Sequence, residues 1–322
     1  MRVFVPGATG ALGSRLLSLL VAAGHSVVGV THTAGKRQLI AQAGAEPMVA
    51  DGLDAAAMRT AVVNSAPDVI VHEMTALRGL SDLRHFDRTF ALSNRLRTEG
   101  LDHLLAAAAA AGTRRFVAQS FCGWPYARIG GHVKTEEDLL DPEPAPEQRR
   151  SLAAIRYLET RLMQAPNIAG LSLRYGSFYG PGTGLLEEAV IEQLRQRRFP
   201  LIGGGTGWWS LVHIDDAAAA TAIAVERGDP GIYNIVDDEP APVREWLPTL
   251  AASLGAKPPL RVPKLLALPL AGKHLVSMMT EARAGSNAKA KRVLNWQPVH
   301  RTWRTGFGAA LHAGGTPPGL HV

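Results

Sequence analysis

The sequence predicts an α/β fold, a doubly wound parallel sheet with helices on both faces and a smaller C-terminal lobe. The first 180 residues alternate short β-branched runs with helical segments, the pattern of parallel strands joined by covering helices. A glycine-spaced turn, Val5-Pro6-Gly7-Ala8-Thr9-Gly10-Ala11-Leu12-Gly13, lies directly behind an apolar N-terminal run. With 322 residues and 46% hydrophobic content, the chain has enough apolar material for one large domain with an added lobe.

Arg2–Pro6 reads as a short buried strand, and Leu12, Leu16, Leu17 and Leu20 recur at helical spacing behind the glycines. Glycine at 7, 10 and 13 lets the backbone turn tightly, approach an anion without an intervening Cβ, and pack the new helix on the sheet. The first helical amides are unpaired within the helix and face that anion. This strand–turn–helix predicts a Rossmann-type dinucleotide site, with Gly7, Thr9, Gly10, Ala11, Leu12 and Gly13 around the pyrophosphate.

Further strands are predicted at Ser26–Thr31, Glu46–Ala50, Asp68–His72, Arg115–Gln119 and Gly170–Tyr175. Between the fourth and fifth runs a long helix ends in Leu104, Leu105 and the alanines 106–111, closed by Gly112; its small residues allow close approach to the sheet. From Gly180 onward the pattern changes to Pro181, Gly182 and Gly184, a helix-like Leu185–Arg198 and a glycine turn over 203–207. The expected division is a dinucleotide-binding domain over 1–180, with 210–236 and its strand Gly231–Val236 returning to it. A substrate lobe occupies mainly 181–314, and a frayed tail follows at 315–322.

The net charge of +6 and pI near 9.7 come from arginines scattered among acidic residues, without the basic stripe and aromatics of a nucleic-acid surface. The 11 histidines show no paired metal-ligand spacing, and the lone Cys122 excludes an intramolecular disulfide. No long uninterrupted apolar run is present and the first strand begins at residue 2, so a cytoplasmic protein with no membrane partner is expected.

NAD-preferring sites place Asp or Glu at the end of the second strand, where it accepts hydrogen bonds from the adenosine ribose. Here that position reads Val30-Thr31-His32-Thr33, followed by Lys36-Arg37. The hydroxyl of Thr31, the imidazole of His32 and the cations Lys36 and Arg37 suit a ribose phosphate and favour NADP, with NAD open. The alternative is that Lys36 and Arg37 are solvated residues of the next helix.

With these motifs in order, the chain resembles the extended short-chain dehydrogenase/reductases, the NAD(P)-dependent epimerase/dehydratase group. The resemblance implies that Asp51 and Gly52, in Val-Ala-Asp-Gly-Leu-Asp, lie near the adenine, and that Met74 and Thr75 end the fourth strand of the cofactor site. Ser120 stands where the family places a catalytic serine or threonine. The run Leu173 to Gly182, including Tyr175, resembles the stretch flanking the nicotinamide. Val212-His213-Ile214-Asp215-Asp216 and the segment from Ser286 to Pro298 resemble later family motifs. The family also implies pairing of two copies through the helix carrying residues 85–111. Read without the family, Asp51 is an ordinary turn residue, Tyr175 and Tyr179 are core aromatics, and Asp215 and Asp216 cap the helix after them.

Family enzymes carry a tyrosine and, four residues later on one helix face, a lysine that lowers the tyrosine pKa from about 10 and holds the nicotinamide ribose. Aligned on Glu159, these positions hold Ser151 and Ile155. Neither supplies the acid or the charge. A shifted pair, Tyr157 with Arg161, would rotate around the helix. Other candidates near the nicotinamide are Tyr126 working with Ser120, Tyr175 and Cys122. Lys134 is a candidate for an anionic substrate or else a solvated charge, and Trp124, Trp208 and Trp209 are candidate walls of the substrate cleft.

Two functions follow. One is an NADP(H)-dependent oxidoreductase or epimerase with a non-standard acid/base, acting on a small polar carbonyl or sugar-like molecule. The other is a non-catalytic NAD(P)-binding sensor.

Overall fold

A computed structural model describes residues 1–77 and 84–313; the expected tail at 315–322 lies outside the described residues. Seven parallel strands form the central sheet: β1 (Arg2–Pro6), β2 (Ser26–Thr31), β3 (Glu46–Val49), β4 (Val69–His72), β5 (Arg115–Phe121), β6 (Ala169–Tyr175) and β7 (Gly231–Ile235). Their order is β7-β6-β5-β4-β1-β2-β3. Val3 stands beside Val27 on one side and Val69 on the other, so the strand order reverses between β1 and β4. A crevice at the carboxyl ends of these strands is where doubly wound sheets bind ligands.

Alternation along the strands explains the two layers. Val3, Val5, Val69, Val71 and Val117 face α1 (Ala11–Ala22) and the helix Ile214–Glu226. Phe4, Ile70, Phe116 and Ala118 face the opposite layer, where Met58, Val62, Leu104, Ala107, Ala108, Leu158 and Leu162 cover them. Strands buried on both faces must be apolar at nearly every position, which is why these runs are legible without alternation. Ala107 and Ala108 are fully enclosed, so the alanine run does bring its helix close to the sheet.

The predicted long helix before β5 is interrupted. It comprises Phe86–Thr89, Ala91–Arg95, a π-helical turn Leu96–Gly100, and Leu101–Ala111, where Gly112 closes it at φ 73°. A wide turn of this kind shifts the face each residue presents.

A second core joins Tyr179, Leu186, Trp209, Trp246, Leu250, Met279, Trp303 and Phe307 into the lobe. Its helix spans Glu188–Arg195, shorter than the expected Leu185–Arg198, because Leu185 is hydrogen-bonded to the Phe178 carbonyl and Arg197 turns to φ 57°. Ala290, Leu294 and Trp296 pack into the main core rather than the lobe. The lobe is therefore not continuous through 181–314; besides β7, the segment 288–296 returns to the sheet. No described helix is long and apolar enough to cross a membrane.

Candidate functional site

The glycine turn is sterically committed. A Cβ on Gly7, at φ 91°, would lie 2.5 Å from the Glu73 carbonyl, and one on Gly13 would lie 2.3 Å from the Gly7 carbonyl oxygen. Gly10 opens α1, its amide donating to the Gly7 carbonyl at 2.9 Å. No described side chain caps this helix and its first turn has no acid, so the amide end is open to an anion. The Leu12 side chain points into the core, leaving only its backbone for the cradle, while Thr9 and Ala11 are half-buried beside it. Arg15 fixes the turn to the rest of the chain through Asp215 at 2.8 Å and the Pro181 carbonyl at 3.1 Å. These features fit a dinucleotide pyrophosphate.

At the end of β2 the candidates separate. Thr31 is buried, its hydroxyl 3.3 Å from that of Thr9 and accepting from the Thr33 amide, so it stiffens the turn rather than offering a free donor. His32 is exposed and Lys36 half-buried, while Arg37 lines a groove with Gln38, Ala41, Gln42 and Pro47 beside β3. Asp51 is exposed and accepts from the Leu53 amide, an ordinary turn contact. Gly52 is buried where a Cβ would meet the Met74 sulfur at 2.4 Å, so the two pack closely, with Thr75 half-buried beyond. His72 Nε2 donates to the Leu96 carbonyl while Nδ1 accepts from the Met74 amide, and burial lowers the ring's pKa to about 4.

The helix expected to carry the acid/base pair is Arg149–Met163, here α2. Ser151 donates to Asp87 Oδ1 at 2.7 Å and accepts from Asn94 Nδ2 at 3.0 Å; Asp87 also takes the amides of Arg150 and Ser151. Asp87 thus caps α2 from another helix. Ile155, 1% exposed, packs with Phe86, Trp124 and Leu152, bordered by Phe90 and Phe121. Phe86 stacks on His274 at 3.6 Å and meets Trp124 edge-on at 5.4 Å. Tyr157 and Arg161 instead share Asp102 at the surface, which removes the shifted pair from the cleft.

The other proton candidates are structural in placement. Tyr126 is 0% exposed, accepts from Arg174 Nη1 at 3.0 Å and donates to Asn234 at 2.7 Å, so it does not swing in an open loop. Ser120 donates to Glu159 at 2.8 Å, and Glu159 binds Arg174 through two 2.7 Å contacts. Tyr175 points to the opposite sheet layer, where its hydroxyl lies 2.6 Å from Thr221 and 3.3 Å from Glu73. Burial raises the Cys122 thiol to about 12, leaving it protonated.

Lys134 is 5% exposed and donates to the Ile129 carbonyl and to Asp138, a clamp within its own loop rather than a solvated charge or a free anion receptor. Trp208 stacks on His132 at 5.1 Å, and Trp124 belongs to the aromatic cluster over Ile155.

Sequence reasoning missed Glu73, whose burial raises its carboxyl to about 8 and which has one oxygen without a partner among the described residues. It also missed Asp87, Asn94, Phe86 and His274; a carboxylate straight after Val-Ile-Val-His was the one visible signal. Asp216 does not cap the helix after it: His213 does, while Asp216 accepts from the amides of Val299 and His300. His213, Asp216 and His300 lie together, but the two rings stack at 3.7 Å and His213 Nδ1 accepts from the Asp215 amide, an arrangement of packing and capping.

The pattern of the NAD dependent epimerase/dehydratase family matches residues 3–236. A Streptomyces protein named 3-diazoavenalumate denitrifying reductase is 42% identical over 310 residues, 96% of this chain and 99% of its own length. Among solved structures, the Thermus thermophilus UDP-glucose 4-epimerase complex with NAD is similar at TM-score 0.76 and 22% identity, covering 98% of this chain and 100% of that one. A human epimerase family protein with NADPH matches at TM-score 0.76 and 20% identity, covering 97% and 99%.

Proposed function

This chain belongs to the NAD dependent epimerase/dehydratase family of oxidoreductases and epimerases, and we propose that it is an NADPH-dependent reductase whose substrate accepts hydride without a proton from the protein. The observation that carries this reading is the pair Ser151 and Ile155, the first bound to Asp87 and the second sealed under aromatic rings, where the family's acid and cation are expected. A carbonyl turned into an alcohol needs a proton on oxygen, and Tyr126, Tyr175 and Cys122 are all buried with their protons held tightly.

A diazonium group has no such need. The Streptomyces relative's name describes nitrogen loss from a diazo compound, and the rings of Phe86, Phe90, Phe121 and Trp124 suit an aromatic one. The balance is Ar–N₂⁺ plus hydride giving Ar–H plus N₂. The C–N pair leaves with nitrogen, the hydride pair forms the C–H bond, and the positive charge is cancelled without an acid. The bound dinucleotide supplies the hydride. The chain's own part is to seat the pyrophosphate on the α1 amides, to keep water from the cleft with Ile155 and its aromatic cover, and to orient the ring. NADPH is preferred to NADH because Thr31-His32-Thr33 carries no carboxylate to meet a free ribose hydroxyl and Lys36 stands close by.

The test mixes the protein and NADPH with an aryl diazonium salt, ketones, enones and nucleotide sugars, following nicotinamide absorbance and N₂ by mass spectrometry. Enzyme-dependent N₂ release, with deuterium from labelled cofactor in the arene, is expected. Turnover of ketones or sugars with no enzyme-dependent N₂ release overturns the reading, and tighter binding of NADH than NADPH overturns the cofactor preference.

A further inference from the structure

Arg97 lies in the π-helical turn Leu96–Gly100 and is 5% exposed, yet its Nε has no partner and no described carboxylate pairs with its guanidinium. Its neighbour Arg95 behaves ordinarily, reaching out to Glu99 at 2.7 Å on the surface. Burial lowers the Arg97 pKa to about 10, which still leaves it charged at neutral pH. An enclosed cation without a counter-charge is destabilising, and such a group is retained where a ligand completes it.

Its position is set by its neighbours. Three residues before it, Asn94 touches Ser151, and five residues after it, Asp102 touches Tyr157 and Arg161. The segment 94–102 therefore runs alongside α2 in the same direction, and Arg97 is level with Ile155. The charge of Arg97 also reaches His72 at the carboxyl end of β4, and the adjacent Leu96 lies by Gly52 and Met74, the residues expected beside the dinucleotide. Arg97 thus lies on the helix beside α2, at about the height of position 155.

We propose that Arg97 replaces the missing lysine, its guanidinium donating to the ribose hydroxyls on the nicotinamide side of the bound dinucleotide. A planar fork of N–H donors matches two vicinal hydroxyls better than a single ammonium does. The assignment rests on the reading that the cleft binds a nicotinamide dinucleotide, and it makes Arg97 a cofactor-positioning residue that α2 no longer provides.

The test compares wild type, Arg97→Gln, and Arg97→Gln combined with Ile155→Lys. Dissociation constants are measured for NADPH and for 2′-phospho-ADP, which lacks the nicotinamide ribose. Arg97→Gln is expected to weaken NADPH about 10- to 100-fold while leaving the fragment within about twofold. Its thermal midpoint is expected to hold or rise, because an unpaired buried charge has been removed. Partial recovery of NADPH binding in the double variant supports the assignment further. Unchanged NADPH binding in Arg97→Gln, or equal weakening of NADPH and the fragment with a lowered midpoint, overturns it and leaves the functional reading standing. A wild-type protein that binds the fragment and neither dinucleotide overturns both.

Discussion

Ser151 and Asp87 are joined by a 2.7 Å hydrogen bond that ties the start of the Arg149–Met163 helix to the short helix Phe86–Thr89. The serine that stands in for the family's tyrosine is thereby a helix-start contact. Its hydroxyl is already committed to the Asp87 carboxylate and the Asn94 amide, and that carboxylate is itself engaged by the backbone amides of Arg150 and Ser151.

Ser151→Ala is accordingly expected to keep turnover within about twofold while lowering stability by about 1 kcal/mol, the usual scale for a lost capping contact. Steady-state rates and a denaturant titration on the same preparation separate the two effects. A rate loss of about 100-fold or more would show that Ser151 handles a proton after all.

The Glu159–Arg174 pair makes a contrasting prediction. Both residues are buried and joined by two 2.7 Å bonds, and Ser120 and Tyr126 complete the set. Glu159→Gln strands the guanidinium in a low-dielectric interior and is expected to destabilise by about 3–5 kcal/mol. Ser120→Ala removes one hydrogen bond to the Glu159 carboxylate, and Tyr126→Phe removes the bonds with Arg174 and Asn234; each should cost about 1.5–3 kcal/mol with little change in rate. Urea unfolding of the three variants checks the ranking; a Tyr126→Phe protein that folds normally and loses turnover would return Tyr126 to the chemistry.

Glu73 gives the protein a pH dependence with a definite sign. Its folded carboxyl titrates near 8 against 4.5 as the ordinary value, because burial disfavours the anion. Below the unfolded value both states are protonated and the folded state carries no penalty from this group; as pH rises through the window to about 8, only the unfolded chain gains by ionising, so stability falls. Glu73→Gln should flatten that decline and exceed wild type by on the order of 2–4 kcal/mol above the window. Thermal midpoints across the range test this, and parallel curves for the two proteins would contradict it.

The glycines differ in how strictly they are required. Gly7→Ala and Gly13→Ala drive a Cβ to within 2.5 Å of backbone atoms and should abolish NADPH binding or folding. Gly10 has an ordinary φ of −74°, and its Cβ would stop 3.2 Å from the Gly7 carbonyl. Gly10→Ala should fold and weaken the cofactor about tenfold or less by crowding the pyrophosphate. Calorimetric titration distinguishes the three, and equal behaviour would argue against the cradle.

The sequence alone determined the parallel sheet and the glycine turn, because strands buried on both faces must be apolar throughout and a turn against a pyrophosphate tolerates no Cβ. It also displayed Ser151 and Ile155 at their positions, since those depend only on spacing from Glu159 along one helix. What it did not show was which polar groups the interior would spend on packing. Tyr126, Tyr175 and Lys134 read as chemistry in one dimension, and each is occupied by partners 4 to 108 residues away in sequence. Only the tertiary structure placed Asp87 under Ser151, folded aromatic rings over Ile155 and buried Arg97 with no carboxylate partner among the described residues. Burial and long-range pairing set the charge and availability of a side chain, and local sequence encodes neither.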